Sequence, residues 1–94
     1  MKPTTVRIPT PLRSFTAGAD EVCIAGATVG EVLRGLGEQY DGLAERLLGP
    51  DGELRQFINV FVGSENVRAL QGLQTPVGDG AIVSIIPAVA GGSG

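Results

Sequence analysis

Apolar and polar residues alternate over residues 4–9, with Val6 and Ile8 on one side and Thr5 and Arg7 on the other. Alternate side chains of a strand point to opposite faces, so this segment predicts a half-buried strand, ended by Pro9 and Pro11. Residues 21–25 alternate again, with Val22 and Ile24 inward. Between the two, Ser14-Phe15-Thr16-Ala17-Gly18-Ala19-Asp20 carries the turn residues of a hairpin connection. The period then lengthens. Val29, Val32, Leu33, Leu36 and Tyr40 recur at spacings of three and four, which places them on one face of a helix. Thr28-Val29-Gly30-Glu31 opens that helix as a capping box, in which the threonine accepts from an unpaired amide of the first turn and the glutamate reciprocates. Asp41-Gly42 interrupts the helix. Leu43, Leu47 and Leu48 predict a further turn, stopped by Gly49-Pro50-Asp51-Gly52.

Residues 56–62 form the clearest strand, dense in β-formers, and are expected at the centre of the sheet. Gly63-Ser64-Glu65-Asn66 reads as the turn after it, and Val67-Arg68-Ala69-Leu70 as a short edge strand. Residues 73–76 read as irregular and Val77-Gly78-Asp79-Gly80 as a turn. Residues 81–86 are the last strand, ended by Pro87. The order is strand, strand, helix, strand, short strand, strand. A hairpin, a crossing helix and a return to the sheet imply an α+β fold with a mixed sheet and its main helix on one face; the β-grasp is the simplest such architecture. The chain is expected to hold one domain, residues 1–87, followed by a flexible tail, residues 88–94, which contains Gly91-Gly92.

Two strands are apolar on both sides. If Ile58, Val60, Val62, Val83 and Ile85 pack under the helix, then Phe57, Phe61, Ile82 and Ile86 are left on the open side of the sheet. An exposed apolar cluster of this kind marks a surface for a partner. The alternative is that the helix lies on the other face, or that loops cover the cluster.

Composition removes several classes of function. The chain has no histidine and one cysteine, so it lacks the usual general base, the commonest metal ligand and any thiolate cage. Phosphate-cradling glycine motifs are absent. These features point away from an enzyme. The net charge of −3, the scattered basic residues and the four aromatics argue against nucleic acid. The longest apolar stretch, residues 81–90, is too short to span a bilayer. Cys23 has no partner for an internal disulfide, and Met1-Lys2-Pro3 does not open a signal peptide, so a cytoplasmic protein is expected. Cys23 itself reads as a plain strand residue on the less buried face, since nothing nearby in sequence would activate its thiol.

The C-terminal run Ala90-Gly91-Gly92 follows the last strand by a few residues. Glycines carry no side chain and permit many backbone angles, so such a tail can thread a narrow channel to a buried active site. The segment Val83-Ser84-Ile85-Ile86-Pro87-Ala88-Val89-Ala90-Gly91-Gly92 resembles the ending of the MoaD/ThiS family of ubiquitin-like sulfur carriers. Arg55-Gln56-Phe57-Ile58-Asn59-Val60-Phe61-Val62, Glu65-Asn66-Val67-Arg68 and Gly78-Asp79-Gly80 are similar to the central region of that family. The opening Val6-Arg7-Ile8-Pro9-Thr10-Pro11-Leu12-Arg13 and the segment Tyr40-Asp41-Gly42-Leu43-Ala44-Glu45-Arg46-Leu47 extend the resemblance to the CysO-type carriers of actinobacterial cysteine biosynthesis.

The resemblance implies that Gly92 is the reactive end, that Ala90 and Gly91 thread the partner's channel, and that catalysis sits elsewhere. A MoeB/ThiF-type activating enzyme would adenylate Gly92 with ATP, and a sulfur source would replace AMP to leave a thiocarboxylate. No cofactor would be bound by the chain itself. The sulfur would attack an aminoacrylate on a pyridoxal-phosphate cysteine synthase-like enzyme, and a zinc JAMM peptidase would free cysteine. Phe57, Phe61, Ile82 and Ile86 would dock the activating enzyme. Ser93 and Gly94 follow the diglycine, so Gly92 as written lacks a free carboxylate. Either these two residues are foreign additions, or the chain is a precursor cleaved between Gly92 and Ser93. The competing functions are the small subunit of molybdopterin synthase and a ubiquitin-like protein modifier or interaction module.

Overall fold

The computed structural model describes residues 3–87. The predicted tail, residues 88–94, lies outside them. Strand β1 (Thr4–Arg7) pairs antiparallel with β2 (Glu21–Ile24), Val6 facing Val22 across the register. Helix α1 (Val29–Gln39) and the short α2 (Leu43–Leu47) follow. Strand β3 (Ile58–Val62) turns through Gly63 into the two-residue β4 (Glu65–Asn66), and β5 (Ile82–Pro87) comes last. The sheet order is β2-β1-β5-β3-β4, with β5 parallel to β1 and antiparallel to β3. This is the expected mixed sheet, with both helices on one face.

The centre of the sheet differs from expectation. The last strand holds it, and β3 stands one place out. Strand β5 is apolar on both sides and has a hydrogen-bonding neighbour along each edge, so its polar backbone is satisfied while Val83 and Ile85 are buried. Strand β3 also begins at Ile58, not at Gln56. Gln56 and Phe57 lie in a turn closed by the Ile58 amide donating to the Arg55 carbonyl at 3.0 Å. The edge strand likewise sits earlier than its composition suggested. Glu65 and Asn66 form it, and Val67–Ala69 is a 3-10 helix because the Asn66 side chain accepts from the Arg68 amide at 2.9 Å.

The capping box is present with one change. Thr28 Oγ1 accepts from the Glu31 amide at 3.3 Å, but the Glu31 carboxylate accepts from Ala27, one residue before the cap, at 2.9 Å. Val29, Val32, Leu33 and Leu36 are buried as the stripe requires, and Tyr40 caps the helix half-buried. Gly42, at φ +84°, turns the chain into α2, which buries Leu43 and Leu47. The hairpin connection contains an unforeseen 3-10 helix, Thr10–Thr16. Pro9 and Pro11 end β1 as read, but they also start this helix, whose fixed proline φ suits a first turn. Leu12 and Thr16 are buried there, and the Thr16 hydroxyl donates to the Ala19 carbonyl at 2.8 Å. One core joins Val6, Ile8, Val29, Val32, Leu33, Leu36, Val60, Val83 and Ile85 between helices and sheet.

Candidate functional site: the open sheet face and the end of the last strand

The face turned away from the helices is laid out by the strand register. Thr5 stands opposite both Cys23 and Ile82. Arg7 stands opposite Glu21 and Ser84, and Ser84 in turn faces Phe61. Asn59 faces Ile86. Phe61 is therefore diagonal to both Ile82 and Ile86, within reach of a long side chain on the same face. Ile82 and Ile86 are 44% and 48% exposed. Phe61 is half-buried. The apolar strip runs along β5, and its polar border toward β2 is the exposed Arg7–Glu21 pair at 3.7 Å.

Of the four residues expected on this face, the sheet brings Phe61, Ile82 and Ile86 together. Phe57 is placed differently. It is 57% exposed but lies in the turn before β3, so strand alternation does not set its direction. It lines a depression of about 440 Å³ with Arg46, Leu54, Arg55 and Ile58. Periodicity could not show this, because a turn and the first residue of a strand read alike in a run of β-formers.

Pro87, the last described residue, lies opposite Ile58. The Phe57 turn therefore adjoins the point where the chain leaves the sheet. On the other side a groove of about 380 Å³ is lined by Arg7, Pro9, Arg13, Ile86 and Pro87, among others. Several arginines near this point are held by backbone carbonyls. Arg13 Nε donates to Ile8 at 3.0 Å, Arg55 Nε to Glu45 at 2.7 Å, and Arg68 Nη2 to Arg55 and Ile58. The sequence reading did not single them out; scattered in the chain, they are gathered only by topology. Among the described residues no group of three or more His, Cys, Asp or Glu could hold a metal ion. Nor is any helix among the described residues long and apolar enough to cross a membrane. Cys23 is exposed on edge strand β2, as read. Ala90, Gly91, Gly92 and Ser93 lie outside the described residues.

Comparison with known proteins gives this geometry a family. The ThiS family model matches residues 6–92, so the match runs through Gly92. The sulfur carrier protein CysO of Mycobacterium tuberculosis is 47% identical over 90 residues, covering 94% of this chain and 97% of the relative. Small archaeal modifier protein 3 of Haloferax volcanii is 50% identical over 66 residues, 70% of this chain and 71% of the relative. A chain in the crystal structure of the Amycolatopsis orientalis BexX/CysO complex superposes with a TM-score of 0.89 at 44% identity, covering 95% of this chain and 99% of that one. The sheet order, the helix on one face and these matches agree: this chain belongs to the ThiS family of ubiquitin-like, β-grasp proteins.

Proposed function

We propose that this chain is a sulfur carrier that serves as the substrate of partner enzymes, with cysteine synthesis as its pathway. The observation that carries the reading is the 47% identity to CysO over nearly the whole of both chains. In this mechanism the Gly92 carboxylate attacks the α-phosphate of ATP on a MoeB/ThiF-type enzyme. Pyrophosphate leaves, and the acyl-adenylate gains a good leaving group. A sulfur nucleophile adds to the acyl carbon, AMP departs, and a thiocarboxylate remains. That sulfur adds to the β-carbon of the aminoacrylate held by a pyridoxal-phosphate enzyme, giving a cysteine joined through sulfur as a thioester. The cysteine amine takes the acyl group from the sulfur, and a zinc JAMM peptidase hydrolyses the resulting amide, releasing cysteine and restoring the Gly92 carboxylate. Where Ser93 and Gly94 belong to the natural chain they must be removed first, because adenylation at Gly92 needs a free α-carboxylate on that residue. Phe61, Ile82 and Ile86 dock the activating enzyme, Phe57 contributes from the adjoining turn, and Ala90 and Gly91 thread its channel. The cytoplasm is where these partners would meet it.

A second reading is favoured by the archaeal modifier, 50% identical over its matched part. There the activated Gly92 would be transferred to a lysine amine instead of sulfur. One experiment addresses both. Three forms, ending at Gly92, ending at Gly94, and ending at Gly92 with Gly92→Val, are incubated with activating enzyme, ATP and sulfide, and intact masses are read. The expected outcome is the gain of sulfur for oxygen in the first form alone. The valine adds a branched side chain where the channel must close on backbone. Equal conversion of all three forms, or none of the Gly92 form, would overturn the carrier reading. Conjugates to partner lysines without a thiocarboxylate would favour the modifier.

A further inference from the structure

Arg68 lies in the 3-10 helix after β4, and its guanidinium reaches back across the edge of the sheet. Its Nη2 donates to the Arg55 carbonyl at 2.6 Å and to the Ile58 carbonyl at 2.7 Å. These are the two ends of the turn that carries Phe57. Antiparallel pairing explains why the Ile58 carbonyl is available. The Gly63 amide donates to the Ile82 carbonyl at 2.9 Å. Bonded pairs alternate along such a ladder, so Phe61/Ser84 and Asn59/Ile86 are bonded and Ile58/Pro87 is not. The polar groups of Ile58 thus turn away from β5, toward the edge where β4 would continue. But β4 pairs only with Phe61 and Val62. Arg68 supplies the donor that a longer β4 would have supplied, through charge-assisted bonds stronger than neutral ones. The same turn is tied to α2 by Arg55 Nε on the Glu45 carbonyl.

We propose that Arg68 is a positioning residue for partner docking: it holds the Arg55-Gln56-Phe57-Ile58 turn, and with it the exposed Phe57 beside the end of β5, in one arrangement before a partner arrives. The inference rests on the docking reading above. An aromatic anchor on a loose turn would lose backbone and rotamer freedom on binding, whereas an anchor on a pinned turn has already lost it. Arg68 acts through Phe57 and not by touching the partner.

The test is a double-mutant cycle with F57A, R68A and F57A/R68A, titrated by calorimetry against the MoeB/ThiF-type adenylating enzyme of the same organism. Amide hydrogen exchange is measured on the free forms. R68A is expected to weaken association roughly five- to tenfold in the Phe57 background and less than about twofold in the F57A background, as coupled residues do. In the free protein, exchange at the Ile58 amide, which donates to the Arg55 carbonyl, should quicken while Phe61 and Ser84, paired with each other, stay protected. If F57A weakens binding but R68A does not, or if the two effects simply multiply, the positioning role is overturned and the docking reading stands. Unchanged exchange at Ile58 in R68A also overturns it. If F57A itself has no effect, Phe57 is outside the interface, and the inference falls together with that part of the docking reading.

Discussion

Gly37 shows how a single position can oppose its own propensity. In an exposed helix, replacing glycine by alanine gains about 1 kcal/mol. Here a Cβ on Gly37 would run into the Ala44 side chain and stand 3.2 Å from the Ala44 Cα. Helices α1 and α2 cross at this contact, and backbone cannot give way as a side-chain tip can. Overpacking costs about 1–3 kcal/mol, which offsets or exceeds that gain, so Gly37→Ala should destabilise by a net of up to about 2 kcal/mol, read as a lower urea midpoint at unchanged slope. The proposed docking face calls for a different choice of residue. Phe61 is half-buried, so a charge there disturbs packing as well as any partner. Ile82 and Ile86 are the cleaner probes, since each is exposed and contributes little to the core. Ile82→Glu and Ile86→Glu should each weaken binding of the activating enzyme about tenfold or more, with the melting temperature unchanged. Equal affinity by calorimetry for both variants would remove this face from the interface.

Among the elements, α1 takes its position from its first turn. Thr28 and Glu31 bind amides on either side of the helix start, while the Val29 amide donates to the Thr75 carbonyl at 3.0 Å. The helix is thus fixed both to its own cap and to the loop that leads toward β5. Thr28→Ala should cost about 1 kcal/mol, the usual loss of an N-cap oxygen. Denaturant unfolding checks this, and an unchanged midpoint would mean that the Thr75 contact alone holds the start. Strand β4 shows the converse. It has only two residues, since the Asn66 side chain captures the Arg68 amide and bends the chain into a 3-10 turn. Side-chain oxygens of asparagine compete with ladder bonds in this way. The edge left open along β3 is the one Arg68 closes at Ile58.

At the scale of the whole molecule, the proposed function rests on a part of the chain that lies beyond the described core in sequence. Among the described residues the buried apolar core runs from Val6 to Ile85, and the expected reactive end at Gly92 follows the last strand. Ending the chain after Pro87 should leave the urea midpoint unchanged while abolishing sulfur acceptance. A lower midpoint would show that residues 88–94 contribute to the fold. The central place of β5 gives this separation a mechanical sense. A strand paired on both edges is anchored against pulling far better than an edge strand, so a partner can hold the tail without unravelling the sheet.

Much of this was legible in the chain itself. The 2-residue period of β1 and β2, the 3.6-residue stripe of α1 and the Thr28-Glu31 cap are local, because each depends on side chains within a turn or a strand of one another. The open-face positions of Ile82 and Ile86 followed from the same alternation, once the helix was assigned to the other side. The diglycine was legible as sequence. What only the tertiary structure decided is the work of residues far apart in the chain. Strand order is set by which edges find hydrogen-bond partners, and periodicity carries no record of that, so β5 and not β3 took the centre. The turn at Gln56 and Phe57 hides in a run of β-formers because pairing, not composition, starts a strand. Arg68, beyond β4, reads as an ordinary surface cation until folding brings it to the Ile58 carbonyl, where a short edge strand has left an acceptor without a donor.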